Sequence, residues 1–354
     1  MRASRTRSWL LGVVTVALAL TACSAEPTDP PAAGDGSDEV TQPIIGPDFS
    51  TIFAEGDSPW YTEIPVDAPI DPRSEEFVAE LVEDDSNPVV SVNGWTIPVY
   101  EADASTPRYT VEPTEDYLPG WALQDVPIPD AAAPDPQDDG HMVVVDREEG
   151  CVYEFWQARR EGSGWTASWA NATPTDGDGI YPDGLSSRAS GLSSIAGLIW
   201  PQELAAGEID HALAFAYPNT RDGGPVPPAT ASDGRTESDT ALPEGARLRL
   251  DPSIDIEALG LSPALEAIAE ALQTYGMILV DTSGGMALNA ASPQTYENYP
   301  YPPSWSADIW ADLSAIPFES MQVLPVGSQT ERNSGPPAIN RCNEGALQGG
   351  DDDE

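Results

Sequence analysis

Short apolar runs recur along most of this chain, and few stretches repeat apolar residues at helical spacing. The runs are bounded by Gly, Pro, Asp and Asn, which is typical of β-strands of about five or six residues. A further signal, Asn93-Gly94 between the apolar runs 89–92 and 95–100, predicts a tight β-hairpin. The other predicted strands cover residues 142–145, 151–159, 165–171, 209–217, 247–250 and 277–280.

Helical periodicity is confined to short segments. Residues 73–83 have the pattern of a short amphipathic helix. A second helix is predicted at 264–272 because Ser262-Pro263 precedes it, and Pro fits the first turn of a helix. Many short strands with few helices predict a mainly β fold, specifically a jelly-roll-like β-sandwich with a few short helices.

The N-terminus has the layout of a signal peptide. Three arginines in the first seven residues precede an apolar run at 9–20, which is too short to span a bilayer core of about 30 Å. The following Leu20-Thr21-Ala22-Cys23 resembles the lipobox of bacterial lipoproteins. The resemblance implies cleavage before Cys23, a palmitate-containing lipid on its sulfur, and an anchor on the outer face of the cell membrane. An ordinary secretory signal with a chance cysteine is the alternative.

Composition divides the chain into four predicted parts. They are a signal peptide at 1–22, a lipid-anchored disordered linker at 23–70, one β-rich extracytoplasmic domain at 71–325, and an acidic tail at 326–354. The linker and the tail are assigned because both are polar and rich in Pro, Gly or Asp, with no sustained apolar period.

The charge balance excludes several kinds of function. The chain has 59 acidic and 15 basic residues, a net charge of −44, which repels nucleic acid. Every basic residue is Arg, so a Schiff-base lysine and a phosphate-binding Walker loop are both excluded. With only 2 histidines, the chain cannot form a three-histidine zinc site.

A wider resemblance covers about residues 85–325. The segments at 143–147, 153–154, 207–213 and 271–277 are similar to a group of secreted actinobacterial proteins. The resemblance implies one extracytoplasmic domain, rich in β-structure, and it carries over no catalytic residue.

Two cysteines remain once Cys23 is assigned to lipid, and outside the cytoplasm such a pair usually forms a disulfide. We therefore predict a Cys151–Cys342 bridge that pins the tail to the domain. The alternative is a buried strand cysteine and an unrelated tail thiol.

Carboxylates with apolar neighbours are the candidates for chemistry, because 59 acidic residues make an isolated carboxylate uninformative. Glu154 and Asp146 lie in or beside apolar runs, and Asp281 follows one before a Gly-rich loop. Glycoside hydrolysis uses two carboxyl groups, roughly 5 Å or 6.5–9.5 Å apart. A lyase would instead use His211 with Tyr153 and an arginine. The competing interpretation makes these residues turn caps or buried core.

Tryptophans beside carboxylates favour a sugar-binding surface, because an indole stacks on the C–H face of a pyranose ring. Trp156 shares a predicted strand face with Glu154, Trp169 lies on the predicted partner strand, and Trp305 lies in an aromatic loop at 296–310. Packing in a core is the alternative for the strand tryptophans, and a lid that covers a sheet edge is the alternative for the loop at 296–310.

Asp176, Asp178 and Asp183 offer hard oxygen ligands at close spacing, which suits Ca²⁺. They do not form an EF-hand loop, and a solvated loop with no cofactor is the alternative. Taken together, the sequence favours a surface lipoprotein that binds or processes cell-wall or environmental carbohydrate. If it is an enzyme, it is a glycan hydrolase or lyase. The other candidate function is a non-catalytic envelope or interaction lipoprotein.

Overall fold

A computed structural model describes residues 43–54, 58–83, 87–115, 122–331 and 338–344, all within one compact unit, Asp38–Glu354. The prediction of a mainly β, sandwich-like fold with few helices is confirmed: the described residues form fifteen strands in three sheets and three short α-helices. None of the helices in these ranges is long and apolar enough to cross a membrane. Cys23 and the predicted signal peptide lie outside the described residues.

The strands are β1 (Val89–Ser91), β2 (Val99–Ala102), β3 (Arg108–Pro113), β4 (Leu123–Pro127), β5 (Met142–Asp146), β6 (Cys151–Trp156), β7 (Arg159–Glu161), β8 (Gly164–Ala167), β9 (Trp169–Pro174), β10 (Leu213–Tyr217), β11 (Arg247–Leu250), β12 (Met277–Thr282), β13 (Ala287–Asn289), β14 (Trp310–Asp312) and β15 (Met321–Val323). The helices are α1 (Ser74–Glu83), α2 (Pro201–Ala206) and α3 (Pro263–Thr274).

The three sheets have mixed topology. The largest has the order β14-β1-β13-β10-β12-β11-β15, and its β10–β12 and β1–β13 pairs are parallel. The second has the order β2-β5-β6-β9, with β2 and β5 parallel. The third has the order β4-β3-β8-β7, with β3 and β8 parallel.

Alternating residues show how the sheets are layered, because successive side chains of a strand point to opposite faces. Val143 and Val145 of β5 share a core with Ile278 of β12, so the second sheet packs on the largest one. Met142 and Val144, from the other face of β5, share a core with residues of β3, β4 and β8. The second sheet therefore lies between the other two, and the largest sheet packs on it in a sandwich-like arrangement.

The helices cover the remaining face of the largest sheet. Buried side chains of α1 and α3 join Leu213, Phe215 and Leu279 in the largest core cluster. Helix α3 begins as predicted, with Ser262 as its N-cap residue and Pro263 in its first turn. Apart from Ala269, its buried residues lie three or four positions apart along one face, which is how a helix packs on a sheet.

The predicted hairpin at Asn93-Gly94 is wrong. Strand β1 pairs with β13 and β14 in the largest sheet, whereas β2 pairs with β5 in the second sheet. The segment between them is held by tertiary contacts instead, since Asn93 Nδ2 donates to the carbonyls of Trp305 (2.9 Å) and Asp308 (2.6 Å). Pro98 also lacks the N–H that a hairpin ladder would use.

The linker predicted for residues 23–70 is too long, because its C-terminal part belongs to the folded domain. From Phe49 to Trp60, four aromatic or aliphatic side chains of the described residues join the core between the first two sheets. Further on, Arg247 and Arg249 of β11 donate to the backbone carbonyls of Thr62 and Pro65 at 2.6 and 2.7 Å. The prediction missed this packing because the apolar residues there follow no regular period.

The predicted disulfide is confirmed: Cys151 and Cys342 are bonded, with their Cα atoms 5.6 Å apart. The surrounding tail segment packs on β9, where Asn340 Nδ2 donates to the carbonyl of Ala172 (2.9 Å) and Asn343 Nδ2 donates to Asn171 Oδ1 (3.0 Å). The last residues of the predicted tail lie outside the described residues.

Candidate functional site

Two adjoining cavities form a single cleft beside the largest sheet. They have volumes of about 570 and 350 Å³, and five residues line both: Asp139, His141, Arg188, Asp281 and Thr282. The larger cavity extends along β1 and β13, and the smaller one extends toward the Trp156–Trp169 pair. The shared residues mark the centre of the cleft.

Asp281 reaches the cleft from the end of β12. A β-bulge between Phe215 and Ala216 shifts the register, so that Asp281 rather than Val280 stands opposite Ala216. Ala216 and Asp281 both line the larger cavity, and the Gly284-Gly285 loop continues its wall. Burial, and then the nearby Asp233 carboxylate, raise the pKa of Asp281 to about 7.

Asp139 and His141 reach the cleft from the loop that precedes β5. The loop is bound to the end of β6, because Gln157 N donates to the Asp139 carbonyl (2.7 Å) and Ala158 N donates to the Gly140 carbonyl (3.0 Å). Gly140 adopts a φ of 46°, a conformation that favours glycine. Burial lowers the pKa of His141, so its imidazole is neutral at neutral pH.

Arg188 is a buried cation at the floor of the cleft, with 3% of its surface exposed. Its Nη1 donates to the carbonyls of Ser193 (2.8 Å) and Ala196 (2.9 Å), and its Nη2 donates to Asn289 Oδ1 (3.1 Å). Burial lowers the pKa of Arg188 to about 10, which still leaves the guanidinium charged at neutral pH.

Glu154 lies behind the cleft and lines neither cavity. Its carboxylate is fully buried and accepts hydrogen bonds from the Ser193 hydroxyl, from Ser194 N (3.0 Å) and from the Ser187 hydroxyl (3.3 Å). Burial raises the pKa of Glu154. Because these serines lie before and after Arg188 in the sequence, Glu154 positions the loop that carries the guanidinium.

Tryptophans flank the cleft on both sides. Trp95 and Trp310, which are 37% and 48% exposed, line the larger cavity. Trp156 and Trp169 line the smaller one from paired positions on β6 and β9, and Trp156 Nε1 donates to Asp139 Oδ1 at 3.4 Å. Trp156 and Trp169, two of the predicted ligand-binding residues, are therefore neighbours and both line the cleft.

Asp135 fixes the backbone conformation of Trp95 and Thr96. Its buried carboxylate accepts hydrogen bonds from Trp95 N (3.3 Å), Thr96 N (3.0 Å) and the Thr96 hydroxyl (2.6 Å). Trp95 has a φ of 57°, an uncommon conformation for a bulky residue. These three hydrogen bonds hold it there.

Three other predicted catalytic residues lie apart from the cleft. Asp146 accepts hydrogen bonds from the backbone of Glu148 and Glu149 at 3.0 and 2.9 Å, which is a turn-capping role. Tyr153 faces the core between the second and third sheets. His211 is buried beside Glu203, with Nε2 3.1 Å from a carboxylate oxygen.

The remaining predicted ligand residues are also separate from the cleft. Trp305 packs in the largest core cluster, with its ring stacked 6.2 Å from that of Tyr301. Asp176 forms an ion pair with Arg341 (2.8 Å), Asp178 accepts from Ile180 N (3.0 Å), and Asp183 accepts from Leu185 N (2.9 Å). Among the described residues, the carboxylates that converge are those of Asp233, Glu244 and Asp281 instead.

Comparison with protein-family models, with curated proteins and with solved structures finds no match for this chain.

Proposed function

We propose that this protein binds carbohydrate in the cleft formed by the two adjoining cavities. The supporting observation is the placement of tryptophans on both sides of one polar centre: Trp95 and Trp310 at the larger cavity, Trp156 and Trp169 at the smaller. Indole faces stack on the apolar C–H faces of pyranose rings, so flanking tryptophans suit a ligand of more than one sugar unit.

The centre of the cleft supplies both kinds of hydrogen-bonding group that sugar hydroxyls need. Asp139 and Asp281 offer acceptors, Arg188 offers donors, and His141 in its neutral form offers one of each. The larger cavity, at about 570 Å³, has the size of an ordinary small-molecule site.

The charge of the protein favours neutral glycans. A net charge of −44 repels uronates and other anionic sugars before they reach the cleft. Within it, the positive charge of Arg188 is already opposed by the nearby Glu154 and Asp281 carboxylates, which reduces its attraction for a ligand carboxylate.

The proposal also includes export and lipid attachment at Cys23. A lipid on this residue would hold the cleft outside the cell membrane, where cell-wall and environmental glycans are the available ligands.

Binding of the full-length chain to an oligosaccharide panel tests the proposal. The panel contains neutral gluco-, xylo-, manno- and N-acetylglucosamine oligomers together with oligouronates. We expect at least one neutral oligomer to bind, and Trp310→Ala or Trp156→Ala to weaken its affinity about tenfold through loss of stacking. Release of reducing ends from the bound oligomer would extend the proposal from binding to hydrolysis.

Ile339→Ala is the matched control for Trp310→Ala, because Ile339 is as exposed as Trp310 (49% and 48%) and does not line either cavity. It should leave the affinity unchanged. Absence of binding across the panel, or binding that neither tryptophan substitution weakens, would refute the proposal.

A further inference from the structure

Three carboxylates converge at one side of the cleft from three separate parts of the chain. Asp233 comes from a loop, Glu244 from the segment just before β11, and Asp281 from the end of β12. One carboxylate oxygen of each lies within 4.8 Å of the others. Like charges so close repel each other unless a cation or a proton compensates them.

Glu244 shows that hydrogen bonds do not supply the compensation. Its side chain is fully buried, and neither carboxylate oxygen has a partner at good hydrogen-bond geometry among the described residues, although the Asp233 carboxylate and the Ser232 hydroxyl lie nearby. A buried carboxylate without a partner is strongly unfavourable. No described arginine or histidine lies within ion-pair distance of any of the three carboxylates. Arg188 attracts Asp281 from farther away, and its own hydrogen bonds go to neutral oxygens.

The backbone holds Glu244 in place. Val226 N donates to the Glu244 carbonyl at 2.8 Å. The next residue, Gly245, has a φ of 89°, and a Cβ there would overlap the Val226 carbonyl oxygen. The carboxylate is therefore carried on a segment that has little freedom to turn away from Asp233 and Asp281.

The other two carboxylates are oriented by Thr282. Its hydroxyl donates to Asp233 Oδ1 at 2.7 Å, and its backbone N–H donates to Asp281 Oδ1 at 2.9 Å. Each aspartate keeps a second oxygen outside these two hydrogen bonds. Such outer contacts are the usual way in which a protein orients metal-binding carboxylates.

The spacing suits a hard divalent cation. Ca²⁺ and Mg²⁺ bind oxygen at about 2.0–2.6 Å, so any two of their ligands lie no more than about 5 Å apart. The three oxygens meet this limit, and carboxylates are the ligands that these ions prefer. We propose that Asp233, Glu244 and Asp281 bind one divalent cation, Ca²⁺ or Mg²⁺, at the wall of the cleft.

This site is separate from the predicted calcium loop at Asp176, Asp178 and Asp183. It also does not depend on which ligand the cleft binds, because its test measures the cation alone. Asp281 lines the cleft and also belongs to the carboxylate cluster, so a bound cation would fix one wall of the cleft.

Titration of the EDTA-treated and desalted full chain with CaCl₂ or MgCl₂ tests the inference. Calorimetry and thermal unfolding are followed in about 0.15 M KCl, which screens weak binding to the acidic surface. We expect one cation per chain with a dissociation constant of about 1 mM or tighter, and a rise in Tm of about 5 °C at saturation. The comparison of the two salts identifies the preferred ion.

Glu244→Gln is the decisive variant, because it keeps the shape of the side chain and removes its charge. It should lose the cation-dependent rise in Tm while the cation-free chain remains at least as stable as the wild type. Asp178→Asn, at an exposed carboxylate of the other loop, should bind the cation normally. An equal rise in Tm for Glu244→Gln, no rise in the wild type, or loss of binding in Asp178→Asn would each overturn the inference.

Discussion

At the scale of single residues, the protein compensates its buried charges in different ways. Arg188 donates hydrogen bonds to neutral oxygens, and Glu154 accepts hydrogen bonds from serine hydroxyls and a backbone N–H. His211 has a charged partner: Nε2 lies 3.1 Å from Glu203, and Nδ1 lies 2.9 Å from the Ala212 carbonyl. With Nδ1–H donating to that carbonyl, only the imidazolium can also donate to Glu203.

The pH dependence of stability should report this pair. Burial alone lowers the pKa of His211, but the Glu203 and Asp210 carboxylates outweigh it and raise the pKa above its usual value. Tyr61, the other titratable ring beside it, remains neutral because burial raises its pKa. A raised folded-state pKa stabilises the fold fully below about pH 6.5, and the stabilisation is lost as pH rises through the folded pKa.

We therefore expect Glu203→Gln to lower the free energy of unfolding by about 3 kcal/mol at pH 5.5 and by clearly less at pH 9. Urea unfolding at both pH values measures the difference. Gln keeps an acceptor for the backbone N–H of Trp200, which Glu203 accepts at 3.1 Å. Glu208→Gln, at an exposed glutamate of the same region, should show no such dependence. An equal cost for Glu203→Gln at both pH values would contradict the assignment.

At the scale of elements, the sequence predicted the strands that have an apolar pattern. It missed the elements and pairings that depend only on tertiary contacts. Strands β5, β6, β10 and β12 are visible as apolar runs because buried strands require them. Three-residue strands such as β13, β14 and β15 are too short to produce a period. The hairpin prediction failed because Asn93-Gly94 is a local signal, whereas the partner of β1 is almost 200 residues further along the chain.

The candidate site likewise contains one residue that the sequence predicted and others that it missed. Asp281 was predicted because it ends an apolar strand before a Gly-rich loop, a position visible in the sequence. Arg188, Asp233 and Glu244 lie in irregular segments that carry no periodic signal, and long-range packing brings them to the cleft. The Ser- and Gly-rich run around Arg188 is typical of a solvated loop, so nothing in the sequence indicates that this arginine is buried.

The disulfide is the main covalent tie between elements, and its removal should be measurable. It joins the start of β6 to the tail with a sequence separation of 191 residues. A loop of this length gives at most about 5 kcal/mol in the loop-entropy model, and the tail's own hydrogen bonds to β9 reduce the effect of losing it. We expect Cys342→Ser to lower the free energy of unfolding by about 2–4 kcal/mol.

Thiol titration supplies the control. In a Cys23→Ser background, the unfolded chain should show no free thiol before reduction and two after it, while adding Cys342→Ser should give one thiol under both conditions. Two reactive thiols in the unreduced protein would contradict the bridge.

At the scale of the whole molecule, some of the few basic residues serve the interior, while others form ion pairs at an acidic surface. Arg188 and Arg249 are each 3% exposed, and Arg249 and Arg247 bind carbonyls of the segment at 62–66. Guanidinium groups suit this role, because their donors form a fixed planar fork. With 59 acidic residues largely unopposed at the surface, the protein repels other copies of itself and anionic lipid headgroups.

Such a surface does not attract the protein to a membrane, so attachment would depend on the predicted lipid at Cys23. We expect the wild-type chain, expressed in a bacterium that makes lipoproteins, to incorporate labelled palmitate and to sediment with membranes. A single acyl chain holds a protein only weakly, and the multiple chains of a bacterial lipoprotein anchor should hold it stably.

Cys23→Ser should remove both the label and the sedimentation, because no other sulfur is available once Cys151 and Cys342 are bonded to each other. Cys342→Ser is the matched control, since it makes the same chemical change at a cysteine assigned to the fold. That variant should keep its label and remain with the membranes. Label that persists in Cys23→Ser, or label that is lost only in Cys342→Ser, would show that the lipid is attached elsewhere and that Leu20-Thr21-Ala22-Cys23 is not a lipobox.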